Sequence, residues 1–130
     1  MKILVGYDGS HRAENALTLA LSHAKAFEAM VVIVTSLQQS PTLHNIDIEK
    51  AQSELEYLRT PFNVEGIECD AQVSVSYRTP GEDLVHFAQE NRIGCIFIGL
   101  KKRSPLGKLV FGSTAQYVIL KAPCPVISVR

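Results

Sequence analysis

The residues best suited to bind an anion lie in the stretch 99–114. An apolar strand pattern ends at Gly99, a basic loop follows, and a helical pattern begins at Gly112, Ser113 and Thr114. Backbone N–H groups at a helix N-terminus attract anions, and glycine lets a ligand come close. The stretch therefore predicts a phosphate pocket, to which the two hydroxyl groups would add donors. The alternative is that the same three residues serve only as a helix N-cap.

The charges of the chain are unevenly distributed. The sequence has 13 Lys and Arg residues and 13 Asp and Glu residues, so its net charge is zero. Residues 99–130 contain six of the bases and no acid, whereas residues 1–98 contain seven bases and 13 acids. This split favours a local anion site over a general surface for nucleic acid. A solvated basic loop is the alternative interpretation.

The remaining composition indicates a cytoplasmic protein. The three cysteines form no C-x-x-C pair, which is typical of reduced thiols, and the four histidines show no metal-ligand spacing. A strand pattern starts at the first residues, and no apolar run approaches the roughly 20 residues that span a bilayer. We therefore expect no signal peptide, no membrane association, no partner nucleic acid and no metal ligands from the chain.

The hydrophobic periodicity predicts strands that alternate with helices. Short apolar or β-branched runs mark five strands, at 3–7, 31–35, 71–75, 95–98 and 126–129. Helical spacing marks four helices, which start at the caps Ser10 and Thr79 and cover 48–58 and 113–120. A loop is expected over 36–45, and Pro61 is expected to stop the second helix. This alternation predicts one α/β domain over 1–130, an open five-stranded and mainly parallel sheet with helices on both faces.

Two loops with unusual chemistry follow apolar strands of this sheet. They are the turn 8–10, Asp-Gly-Ser, and the loop that starts at Gly99. Ligands of such sheets bind beyond the carboxyl ends of the strands, where the strand order reverses. A strand order of 3-2-1-4-5 would make the two loops face one pocket. The sequence has no P-loop, no G-x-G-x-x-G after the first strand and no evident set of nucleophile, base and acid, so no catalytic residue is predicted.

Three segments together resemble the universal stress protein family. Residues 5–10 look like the opening strand of that family, and 122–126 look like its closing segment. The spacing from Gly99 to Gly112 and Ser113 matches the nucleotide signature G-x2-G-x9-G-[ST] of the family. The similarity covers the whole chain in order. It implies a Rossmann-like fold with strand order 3-2-1-4-5.

The resemblance also implies a ligand and its contacts. The expected ligand is ATP, with Mg²⁺ bridging the phosphates. Asp8 would reach the adenosine end or support the phosphate loop, and the alternative is that it only organises its own turn. Thr35, with Val34 as the neighbouring possibility, would meet the adenine edge through its backbone. Ile98 would pack on the base unless it is core, and Gly99 would admit the ligand unless its turn requires a positive φ.

Lys102 is the departure from the family signature. It stands where the family has its second glycine, which lets the backbone approach the phosphates. A lysine either fills the space of the ligand or swings outward and adds a charge-assisted hydrogen bond to phosphate. The alternative is a solvated loop residue beside two other bases.

Three functions therefore follow from the sequence. The first, implied by the resemblance, is an ATP-binding regulatory protein of the stress response, expected to act as a homodimer through residues 125–130 and to signal to a protein partner that the sequence does not identify. The second is an interaction module with the same fold and a degenerate pocket, which Lys102 supports. The third is a weak ATP hydrolase or a protein that phosphorylates its own Ser113 or Thr114.

Overall fold

A computed structural model describes residues 1–101 and 111–130. The described elements alternate along the chain with one added short helix. In order they are β1 (Lys2–Gly6), α1 (His11–Phe27), β2 (Met30–Gln38), α2 (Asn45–Leu58), α3 (Thr60–Val64), β3 (Cys69–Ser76), α4 (Pro80–Glu90), β4 (Cys95–Gly99), α5 (Ser113–Lys121) and β5 (Val126–Val129).

The five strands form one parallel sheet in the order β3-β2-β1-β4-β5. The predicted α/β fold and strand order are confirmed. The central strand β1 lies between β2 and β4, with Val5 opposite Ile33 on one side and Phe97 on the other. The strand order reverses at β1, because the chain adds strands on one side first and on the other side afterwards.

Side chains alternate between two apolar layers. On one face Ile3 and Val5 pack with α1, α2 and α3. On the other face Leu4 and Ile96 pack with α4 and α5. The central strands are apolar on both sides because helices cover both faces of the sheet.

The predicted helix starts are confirmed. The Ser10 hydroxyl accepts a hydrogen bond of 3.1 Å from the Ala13 N–H at the start of α1. At the start of α4 the Glu82 N–H donates to the Thr79 hydroxyl, and the Thr79 N–H donates to the Glu82 carboxylate. These hydrogen bonds satisfy N–H groups that a helix start leaves without partners.

One short helix is missing from the prediction, and one predicted boundary is wrong. The second helix ends at Leu58 as predicted, but Pro61 then lies in the first turn of α3, where a missing N–H costs nothing, and the next residue, Phe62, is buried in the core. The strand β2 continues to Gln38, three residues into the predicted loop. It does so because β3 pairs with it as far as Ser76, so that these residues belong to the sheet.

Candidate functional site

The carboxyl ends of β1 and β4 meet where the strand order reverses. β1 ends at Gly6 and β4 ends at Gly99, and the two strands are direct neighbours in the sheet. This is the position at which open parallel sheets form a ligand crevice. The loops that the sequence analysis selected therefore do leave the sheet at one place.

Asp8 organises the turn that follows β1. One carboxylate oxygen, Oδ1, accepts hydrogen bonds from the Ser10 N–H at 3.0 Å and from the Ser10 hydroxyl at 2.5 Å. The other oxygen, Oδ2, lies 3.7 Å from the Arg12 guanidinium. Gly9 takes a φ of 84°, which explains the glycine in this turn. The turn-forming alternative for Asp8 is thus confirmed, and a contact with adenosine stays a prediction for its exposed side chain.

Gly99 is required by packing against α1. A Cβ atom at this position would lie 2.6 Å from Arg12 Cβ and 2.8 Å from the Arg12 carbonyl carbon. The positive φ considered for this residue is not observed, since Gly9 and Gly66 are the glycines with positive φ in the described part of the chain. The close approach of a helix, and not the shape of the turn, accounts for this glycine.

Thr35 does not offer free backbone groups to a ligand. The Val31 N–H donates to Glu68 and the Gln39 N–H donates to Ser76, so odd-numbered residues of β2 direct their backbone groups toward β3. Thr35 therefore belongs to that ladder, and its hydroxyl donates to the Tyr7 carbonyl at 2.9 Å.

Ser36 is the residue of β2 whose backbone faces the crevice. Even-numbered residues of β2 direct their backbone groups toward β1, as the bond from the Tyr7 N–H to the Val34 carbonyl shows. β1 has ended at Gly6, and within the residues that the structure describes no backbone bond joins the Ser36 N–H to Tyr7. The predicted backbone contact therefore shifts from Thr35 to Ser36. The sequence does not reveal which residues of β2 direct their backbone groups toward β1, because this depends on the register of the sheet.

A buried carboxylate of α4 holds the side chain of Ser36. The Ser36 hydroxyl donates a hydrogen bond of 2.7 Å to Asp83 Oδ2, and Asp83 is 5% exposed. Asp83 lies in the first turn of α4, so this bond ties the start of that helix to the end of β2. Neither residue was predicted for the site, since neither belongs to a motif.

The start of α5 has backbone donors without a partner inside the helix. Its N-cap is Gly112, with φ −65° and ψ 155°, and the helix has no acidic residue in its first turn. The next N–H groups, those of Ser113 and Thr114, belong to the donors that a helix cannot satisfy internally. This arrangement suits an anion.

Gly112 differs from Gly99 in what surrounds it. Its φ is open to any residue, and a Cβ atom there would meet no described atom closer than 3.6 Å, the distance to Lys101 Cε. Among the described residues, neither conformation nor packing thus requires glycine at position 112.

A cavity of about 430 Å³ lies between the starts of α4 and α5. Ser113 and Thr114 contribute to its wall, and their contact with phosphate stays a prediction. The other lining residues were missed as site residues and are Gln38, Thr79, Pro80, Gly81, Glu82 and Tyr117. Their sequence signal, the capping box, was interpreted only as a helix start.

Close packing of α4 on α5 shapes this cavity. A Cβ atom at Gly81 would lie 2.9 Å from Tyr117 Cβ and 3.3 Å from the Thr114 carbonyl oxygen. At the rim, hydrogen bonds from the Thr79 hydroxyl and N–H hold the pKa of the Glu82 carboxyl below its ordinary value. The carboxylate is thus fixed to its own helix start.

Of the seven described residues that the sequence predicted for the site, Ser113 and Thr114 are the two that line this cavity. Ile98 is 3% exposed and packs in the layer that contains Leu84, which agrees with the core alternative and leaves little of it for a base. Lys102 lies outside the described residues, so its role stays a prediction.

Neither metal ligation nor membrane insertion is indicated by the described residues. Across 1–101 and 111–130, no group of three or more His, Cys, Asp or Glu side chains is arranged to hold a metal ion. In the same residues no helix combines the length and hydropathy needed to cross a bilayer.

Known proteins resemble this chain over its whole length. The profile of the Universal stress protein family matches residues 1–130. A universal stress protein from Thermus aquaticus is 26% identical over 147 aligned residues, covering 98% of this chain and 97% of that protein. A solved structure of a universal stress protein from Archaeoglobus fulgidus is 39% identical, with a TM-score of 0.89, covering 100% of this chain and 98% of the other.

A second structure shows a related protein with a ligand. It is a universal stress protein from Archaeoglobus fulgidus in complex with dAMP, 34% identical with a TM-score of 0.85, covering 100% of this chain and 98% of the other. Sequence profile, relatives and fold agree: this chain belongs to the universal stress protein family.

Proposed function

We propose that this protein binds an adenine nucleotide in the crevice beyond β1 and β4 and acts as a regulatory protein of the stress response. The observation that carries the proposal is the start of α5: its first N–H groups follow Gly112, which has no side chain and no described atom closer than 3.6 Å to its Cβ position, and this suits an approaching phosphate oxygen. The related structure with dAMP supports the same ligand class.

The phosphate end of the nucleotide is assigned to the start of α5. There the N–H groups of Ser113 and Thr114 and their hydroxyls would donate to phosphate oxygens, and the helix dipole adds attraction. Lys101, whose aliphatic stem lies 3.6 Å from the Cβ position of Gly112, is close enough to add a cation. Lys102 would add another from the loop.

The adenine edge is assigned to the backbone of Ser36. Its N–H and carbonyl form one donor and one acceptor at fixed spacing, which suits the edge of a purine. The hydrogen bond from Ser36 to Asp83 holds this strand end in place. Asp8 remains available for a ribose hydroxyl through its exposed carboxylate.

ATP with Mg²⁺ is the fuller form of the proposed ligand. Mg²⁺ is usually held by substrate phosphates and water with one or two carboxylates, and no ready cluster of metal-binding side chains is present in the described residues. The nucleotide phosphates and water would therefore supply most of the Mg²⁺ ligands. Nucleotide binding would then shift a conformational or partner equilibrium if one state binds the ligand better.

We also propose that the protein is cytoplasmic and forms a homodimer in which the β5 strands of the two copies are in contact. This strand is an edge of the sheet, and Ile127 and Val129 on it are only partly buried. Apolar side chains on an open edge favour pairing with another strand.

Calorimetric titration with dAMP and with ATP plus Mg²⁺ tests the proposal. The decisive variant is Gly112→Asp, since an N-cap aspartate supports a helix start while its charge occupies the anion site. We expect the wild-type protein to bind, and Gly112→Asp to bind at least about tenfold more weakly with no loss of melting temperature. Gly112→Ser is the uncharged control. No binding by the folded wild-type protein at millimolar nucleotide would refute the proposal.

A further inference from the structure

The second edge of the sheet is the strand β3. Its eight residues run from Cys69 to Ser76 with no strand beyond them in the described structure. The Val31–Glu68 and Gln39–Ser76 hydrogen bonds show that even-numbered residues of β3 bond to β2. The odd-numbered residues therefore direct their backbone groups outward.

The chain covers only the first part of this outward edge. The Arg59 guanidinium donates to the Cys69 carbonyl at 2.9 Å, and the Ala71 N–H donates to the Asp70 carboxylate at 2.9 Å. Val73 and Val75 come next on the outward side, and Val75 is 36% exposed. Hydrogen bonds with side chains already occupy outward groups of Cys69 and Ala71. Another strand would therefore add beside Val73 and Val75.

We propose that this edge joins a second copy of the chain, with the two β3 strands antiparallel and a two-fold axis at Ser74. Val73 of each copy then lies opposite Val75 of the other copy, which gives two facing pairs. Each such pair exchanges two N–H···O bonds, so the ladder contains four hydrogen bonds. The two Ser74 residues face each other at a position without hydrogen bonds.

This register is complementary in charge at both ends. Antiparallel pairing brings the start of one β3, with the exposed Asp70, toward the end of the other, where the exposed Arg78 follows two residues after Ser76. Opposite charges in facing strand positions stabilise a pair, and like charges destabilise it. An extended basic peptide would complement only Asp70, and an acidic one only Arg78. A second copy of the chain complements both, and it is therefore the favoured occupant.

The same register places an aromatic side chain at a cavity. A groove of about 330 Å³ between α2 and β3 is lined by Leu55, Gln52, Glu56, Ala71, Gln72 and Val73. Tyr77, which is 84% exposed, directly follows the end of β3, so antiparallel pairing brings it near Ala71 of the other copy. Ala71 and Val73 pack on the α2 side of the sheet, where this groove would receive an aromatic ring.

The contact is small, so it forms reversibly and at raised protein concentration. It uses an edge opposite to β5 and is independent of nucleotide binding. Two copies joined at β5 could therefore join further copies at β3 and form larger assemblies.

Cysteine cross-linking tests the two-fold axis. Facing residues of this type have Cα atoms about 4.5 Å apart, within the range of a disulfide. We expect Ser74→Cys to form a covalent dimer with diamide as oxidant at least about tenfold faster than Ser76→Cys, because paired thiols meet at high effective concentration. Two Ser76 residues would be about 13 Å apart in this register, so that variant is the matched control. Equal rates for the two variants, or no dimer from folded Ser74→Cys, would overturn the proposal.

Sedimentation at rising protein concentration tests the charges and the tyrosine. Asp70→Arg and Arg78→Asp should each weaken association at least about threefold, and the double variant should restore it. Tyr77→Ser should weaken association, whereas Tyr57→Ser, at a tyrosine that is 78% exposed on α2, should not. Failure of the double variant to recover association, with all variants folded, contradicts the register.

Discussion

The hydroxyl of Ser36 donates a hydrogen bond of 2.7 Å to the buried carboxylate of Asp83, and this bond joins the end of β2 to the start of α4. It fixes the strand end whose backbone faces the crevice and the helix start that borders the cavity. One side-chain pair thus holds the two halves of the candidate site in register.

Ser36→Ala should destabilise the protein because it removes the serine partner of a carboxylate that is 5% exposed. We expect the free energy of unfolding in urea to fall by about 1–3 kcal/mol, the cost of an unsatisfied buried group. Ser53→Ala, at an exposed serine of α2, should change it by less than about 0.5 kcal/mol. Equal stabilities of the two variants would show that the Ser36–Asp83 bond contributes nothing.

Gly99→Ala should be strongly destabilising, since the new methyl group would lie 2.6 Å from Arg12 Cβ. Overpacking of this kind costs about 1–3 kcal/mol, which thermal or urea unfolding would measure. Gly112→Ser is the matched glycine substitution, and we expect it to change stability by less than about 0.5 kcal/mol. If Gly99→Ala is as stable as the wild-type protein, α1 does not require a glycine at this position.

Tyr7→Phe should alter stability in a pH-dependent way. The Tyr7 hydroxyl donates to Glu54 at 2.9 Å, and burial, followed by this bond and the charge of Glu54, raises the pKa of Tyr7 above its ordinary value of 10. A raised pKa stabilises the fold below pH 10, and this contribution is lost as the pH rises toward the folded value.

The measurement for Tyr7 is urea unfolding at several pH values. Tyr7→Phe should be less stable than the wild-type protein by about 1 kcal/mol at neutral pH, and the difference should shrink as the pH rises above about 10. Tyr57→Phe, at an exposed tyrosine, should show no such difference. A difference in unfolding free energy that stays constant at all pH values would show that ionisation of Tyr7 does not cause the alkaline loss of stability.

Lys102→Gly restores the family glycine and distinguishes the two interpretations of this residue. If the lysine swings outward and contacts phosphate, the variant should bind ATP about three- to tenfold more weakly than the wild-type protein, in line with the loss of one charge-assisted hydrogen bond. Lys50→Ala, at an exposed lysine of α2, is the control for charge. Binding that appears only in Lys102→Gly would instead support the interaction module with a degenerate pocket.

The architecture could be predicted because it rests on periodicity and local chemistry. Apolar strands, capped helix starts such as Ser10 and Thr79, and their alternation are visible in neighbouring residues. The short helix α3 could not be predicted with the same ease, since Pro61 is equally typical of a helix end and of a first turn. Burial of Phe62 decides between the two, and burial is a property of the folded chain.

The site was predicted in part for the same reason. The start of α5 is a local pattern, and Ser113 and Thr114 do line a cavity. The difference between Thr35 and Ser36 depends on which backbone groups β3 takes, and the role of Gly99 depends on the approach of α1. Both are consequences of contacts between distant parts of the chain, which spacing along the sequence does not contain.

The most direct measurement is an amide chemical-shift map of the ¹⁵N-labelled protein titrated with dAMP. Our account predicts saturable shifts that are largest at Ser36, Gly112, Ser113 and Thr114, with little change along β3 at Val73 and Val75. Saturable shifts concentrated away from the crevice, or none at millimolar dAMP with the protein folded, would contradict it.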